Sequence, residues 1–67
     1  MQEKLIILRK KHKDTAKKIA SLINVSAGTY ALKESDMRPF TLNESLTISK
    51  YYELPIEEIF HFQDIHK

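Results

Sequence analysis

The sequence predicts an all-α domain, and three observations carry that prediction. Only one Gly and two Pro occur in 67 residues, too few turn residues for a small many-stranded protein. Apolar residues recur at helical spacing, most completely at Ala16, Ile19, Ala20 and Ile23, a full i, i+3, i+4, i+7 stripe. Cap residues stand ahead of the periodic segments: Thr15, Ser26 and the pair Thr41 and Glu44, the last with capping-box spacing. A chain of this length hides about 60% of its unfolded surface, so one domain over 1–60 with a short tail, 61–67, is expected. There is no cysteine, so neither disulfides nor a thiolate zinc site supplements the core.

Five helices are expected, over about 2–12, 16–23, 27–34, 42–52 and 56–60. Leu5 and Leu8 open the first at i, i+3 spacing, and the polar continuation through Arg9, Lys10, Lys11 and His12 favours helix over strand, with Ile6 or Ile7 left partly exposed. Thr15 caps the second. Asn24 ends it by tolerating the left-handed conformation, and Ser26 caps the third. The stretch SDMRPF at 35–40 reads as a loop. After Thr41, Leu42, Leu46, Ile48 and Tyr52 are assigned to the apolar face of the fourth helix. Leu54 and Pro55 break the chain, and Ile56, Ile59 and Phe60 face inward from the fifth.

The net charge of +2 conceals an asymmetry. Residues 1–33 carry eight bases and two acids, a net +6, and residues 34–67 carry three bases and seven acids, a net −4. Such a dipolar molecule suits an anionic partner met from one side; solvated helix faces give the same count. The longest apolar run is Leu5 to Leu8, far short of the roughly 18 residues a membrane helix needs, so a cytoplasmic protein with no membrane association is expected. His61, Asp64 and His66 do not share a helix face and form no metal site. No Ser, His and acid set has supporting context, so neither enzyme activity nor a cofactor is expected.

The second and third helices are joined only by Asn24 and Val25, a helix-turn-helix pattern in which small Ala20 permits close crossing. The segments L-x-x-L-R at 5–9, T-A-K-K-I-A-x-x-I-N-V-S at 15–26, T-Y-A-L-K-E at 29–34, R-P-F-T-L-N-E at 38–44 and L-P-I-E-E-I-F at 54–60 together resemble the phage repressor and Cro type of helix-turn-helix regulator. The resemblance runs in order through nearly the whole chain. It implies a five-helix lambda-repressor-like domain and a transcriptional regulator of phage or mobile-element type, binding double-stranded DNA as a homodimer with its third helix in the major groove. It also implies an ion pair between Arg9 and Glu34. The length fits a stand-alone module of the Cro kind, or a piece of a longer repressor.

On that reading the DNA-facing residues are Thr15, Lys17, Lys18, Ser26, Ala27, Gly28, Thr29, Ala31, Leu32, Lys33, Arg38 and Thr41. Thr15, Ser26 and Thr41 stand at helix N-termini suited to phosphate, although capping alone explains them, and Arg38 is placed to reach phosphate or minor groove. Lys10, Lys11 and Lys13 read as a solvated face. The chain departs from the family pattern at Ala16, where glutamine is usual. Ala27, Gly28, Ala31 and Leu32 also bring no side-chain donors to base edges, leaving thymine methyls, the Thr29 hydroxyl and Lys33 for readout. Tyr30 fits a core position with its hydroxyl at the edge, or a phosphate contact. Phe60, Phe62 and Ile65 serve a dimer contact or a lid over the core. The competing reading is a protein-binding module, anti-repressor or antitoxin-like, that uses Leu32 and the bare face of the third helix.

Overall fold

A computed structural model describes residues 1–60. Its elements are α1 (Glu3–Lys11), α2 (Ala16–Leu22), α3 (Ala27–Glu34), α4 (Leu42–Tyr52) and a single 3-10 turn, η1 (Ile56–Glu58). The expected fifth helix over 56–60 is thus reduced to that turn. Pro55, at φ −65°, starts it, and Ile59 and Phe60 are at once drawn into the core at 0% and 2% exposure. Among the described residues there are four α-helices and a 3-10 turn, so the five-helix count is not confirmed.

The helix ends follow from local chemistry. Thr15 Oγ1 accepts from the Lys18 amide at 3.1 Å and Ser26 Oγ accepts from the Thr29 amide at 3.1 Å, each satisfying a first-turn donor that has no partner within its helix. Asn24, at φ 60°, turns the chain so that the Val25 amide returns to the Ala20 carbonyl at 3.0 Å. At α4 the capping box closes: the Glu44 amide donates to Thr41 Oγ1 at 3.1 Å while the Thr41 amide donates to Glu44 Oε1 at 2.9 Å. Helix α1 has no side-chain cap. Instead the Gln2 amide donates to the Glu34 carbonyl at 2.8 Å and its side chain donates to Asp36 at 2.8 Å, tying the start of α1 to the end of α3.

The core gathers Leu5, Ile19, Ala20, Ile23, Tyr30, Ile48, Tyr52, Ile59 and Phe60. Phe40, from the loop before α4, links two of these rings, with centroids 6.1 Å from Tyr30 and 5.0 Å from Phe60. One expected face is corrected. Leu42 and Leu46 are 70% and 45% exposed, while Ser45 is buried with Ile48 and Tyr52. At about 100° per residue, Leu46 stands roughly 200° from Ile48, whereas Ser45, Ile48 and Tyr52 form one stripe. The Ser45 hydroxyl is satisfied by donating to the Thr41 carbonyl at 3.0 Å, which lets a polar residue occupy the inward position.

Candidate nucleic-acid interface

Helices α2 and α3 pack against one another, with Ala20 buried beneath them at 1% exposure. No Asp or Glu lies between Asp14 and Glu34, and Glu34, the last residue of α3, is turned inward against Arg9, so the outer side of this helix pair carries only positive side-chain charge. Lys17 is exposed and borders a shallow depression shared with Ser21, Asn24, Ser26 and Ala27. Ser26, Ala27, Gly28 and Ala31 are exposed as well, and Leu32 is at 38%. Ala27, Gly28, Ala31 and Leu32 form one strip, since positions four apart stack on a helix. Thr29 is half-buried. Its Oγ1 accepts from Ser26 Oγ at 3.0 Å, leaving its own hydroxyl proton for a further partner.

Arg38 is exposed in the loop that follows α3. Its backbone amide is held to the Leu32 carbonyl at 3.2 Å, and no ion pair engages its guanidinium among the described residues. Thr15 and Thr41 are exposed caps. At Thr41 the reciprocal bonds with Glu44 place a carboxylate at the head of α4, which weakens any attraction of phosphate there.

Three expected site residues make contacts within the domain. Lys33, expected to reach bases, is buried at 8% exposure. Its Nζ donates to Glu44 Oε1 at 2.8 Å and to the Pro39 carbonyl at 3.1 Å and lies 5.9 Å from the centre of the Phe40 ring. The ammonium ties α3 to the loop and to α4 instead of facing outward. Lys18 is exposed but shared: Nζ is 3.5 Å from Asp14 Oδ1 and 5.6 Å from the Tyr51 ring centre. Phe60, read both as inward-facing and as part of a dimer contact or lid, is a core residue, in line with the inward reading. Phe62 and Ile65, the rest of that set, lie outside the described residues, as do His61, Asp64 and His66. Among the described residues no group of His, Cys, Asp or Glu could hold a metal, and no helix is long and apolar enough to cross a membrane.

Arg9 and Glu34 meet. Arg9 Nε donates to Glu34 Oε2 at 2.8 Å and Nη2 donates to Oε1 at 3.2 Å, a two-pronged pair with side chains only 12% and 13% exposed. Tyr30, wholly buried, adds a hydrogen bond from its hydroxyl to Glu34 Oε2 at 2.8 Å. The hydrogen bond to Glu34 outweighs the cost of burial and raises the Arg9 pKa; burial, followed by Glu34, raises that of Tyr30. The end of α3 is thereby fixed in orientation by α1.

A second polar cluster was not foreseen. Buried Asp14 accepts from the hydroxyls of Tyr52 at 2.9 Å and Tyr51 at 3.2 Å, while its carbonyl accepts from Arg9 at 3.1 Å. Burial works to raise its pKa, but the two tyrosines and Lys18 overcome that and hold it below the ordinary value. This clamp joins the turn before α2 to the end of α4, so the α2 N-terminus is held from behind.

With this geometry, a crystal structure of a transcriptional regulator from Listeria innocua aligns with a TM-score of 0.82 at 27% sequence identity. The fold is that of a helical transcriptional regulator. The alignment covers 97% of this chain and 62% of the other, so this chain spans less than two thirds of that regulator's length. No family model and no curated protein matches the sequence.

Proposed function

We propose that this chain is a DNA-binding transcriptional regulator that lays the exposed strip of α3 in the major groove of double-stranded DNA. The observation that carries the reading is the exposed side of α2 and α3, which presents no acid, its one carboxylate, Glu34, being turned inward on Arg9, and which has the exposed cations Lys17 and Arg38 beside it, on a fold shared with a transcriptional regulator. Lys17 and Arg38 meet phosphates and Ser26 positions the start of α3, while Arg9 and Glu34 hold α3 at a fixed angle to the rest of the domain. In its finer form the reading is a phage or mobile-element regulator, acting in the cytoplasm and binding a two-fold operator as a homodimer.

The test is selection of bound duplexes from a random pool, followed by titration of the best sequence at several salt concentrations. An enriched two-fold motif, with affinity falling steeply as counterions are released, is the expected result. No enrichment, together with salt-insensitive capture of a protein lost on Leu32→Asp, would favour the protein-binding reading of the same strip.

A further inference from the structure

Gly28 is the only glycine in the chain, and the fold does not require it. Its φ is not positive, and a Cβ placed there would meet nothing nearer than Ser26 Oγ, at 4.0 Å, an ordinary contact. Glycine is a poor helix former, so its position in the first turn of α3 runs against the stability of that turn. Around it, Ala27, Ala31 and Leu32 offer methyl groups and no side-chain donor or acceptor; exposed Lys17 lines one depression with Ala27, and the backbone of exposed Arg38 is held at the Leu32 carbonyl. Such a surface is complementary to a polyanion whose reading edge carries apolar groups. In a major groove those are the 5-methyl groups of thymine.

We propose that Gly28 serves the groove and not the fold: it lets the first turn of α3 lie close to the base edges, where Ala27, Ala31 and Leu32 read thymine methyl groups. The proposal rests on the DNA-binding reading above and adds the base chemistry and the residue that sets the approach. Two changes test it on the tightest duplex recovered from the random pool, one in the protein and one in the DNA. Gly28→Ala is expected to raise the melting temperature by about 2 °C, because the helix gains propensity, and yet to weaken binding tenfold or more. Replacing thymine by uracil at the enriched positions, one at a time, removes a single methyl group and is expected to weaken wild-type binding about fourfold at each contacted step, the equivalent of one buried carbon.

A gain in stability combined with both losses of affinity supports the proposal. If wild-type protein binds the duplex but either change leaves affinity intact, the proposal falls while the DNA-binding reading stands. If wild-type protein binds no duplex at low salt, both fall.

Discussion

Helices α2 and α3 are neighbours of similar length with opposite habits. Helix α2 buries Ile19 and Ala20 and exposes Lys17 and Lys18, whereas α3 buries Lys33 and half-buries Glu34 while exposing Ala27, Gly28, Ala31 and Leu32. The first pattern is what burial of apolar area produces unaided. The second is not. In α3 the charged groups are drawn inward because each finds a partner: Lys33 with Glu44 and Glu34 with Arg9 and Tyr30. The outward strip is therefore one whose lack of charge and of side-chain donors burial does not explain. A structural helix and a presenting helix lie side by side, and the polar bonds beneath α3 fix the orientation of the strip above.

Breaking the buried side of α3 has the largest expected effect. Glu44→Ala leaves the Lys33 ammonium buried with no carboxylate partner, only the Pro39 carbonyl and the Phe40 ring face, at an expected cost of about 3 kcal/mol or more, enough to unfold a substantial fraction of a domain this small. Urea denaturation measures it. The double change Lys33→Met with Glu44→Gln removes both charges while leaving an acceptor for the Thr41 amide, and should recover most of the loss.

Acid is the next lever. Burial works to raise the Glu44 pKa, but Lys33 and the Thr41 amide more than offset it, so Glu44, like Asp14, titrates below its ordinary value. Because the folded values are lowered, the unfolded chain binds the protons first. The contribution is fully present above the ordinary carboxylate range of about pH 4 and is lost as the pH falls through the lower folded values. The urea midpoint should decline as pH drops below about 4, and Lys33→Met with Glu44→Gln should make that decline shallower.

How much of this was legible in the sequence depends on the range of the interaction. Thr15, Asn24 and Ser26 declare the boundaries of α2 and α3 because capping and left-handed turns act over three or four residues. The clamp of Tyr51 and Tyr52 on Asp14 spans nearly forty residues, and no periodicity announces it. By residue type Lys33 belongs outward, although it stands three positions after buried Tyr30 and so on the same stripe. By the same criterion Leu42 and Leu46 belong inward, yet Ser45, its small hydroxyl satisfied by the Thr41 carbonyl, takes the core position. The exposed strip of α3 was readable from the missing donors alone; that its glycine has room for a side chain was not.

Smaller effects sharpen the contrast on the outer side. Arg38→Ala should weaken binding to every duplex about fivefold and reduce the salt slope by about one. The double change at Lys33 and Glu44, by contrast, should leave that slope unchanged, since a buried, paired ammonium releases no counterion. Leu32→Ser should cost about 1 kcal/mol of stability, since the side chain is partly covered and Leu is the better helix former, as measured by thermal melting, while it lowers affinity.

The most direct measurement of the central claim is a titration of isotope-labelled protein with the selected duplex, followed by amide NMR shifts. The account predicts that the largest changes fall on Ser26 to Leu32, with further shifts at Lys17 and Arg38, and that Ile48 and Ile59 in the core stay nearly still. Shifts centred on α4 with α3 unmoved, or no shifts at low salt, would contradict it.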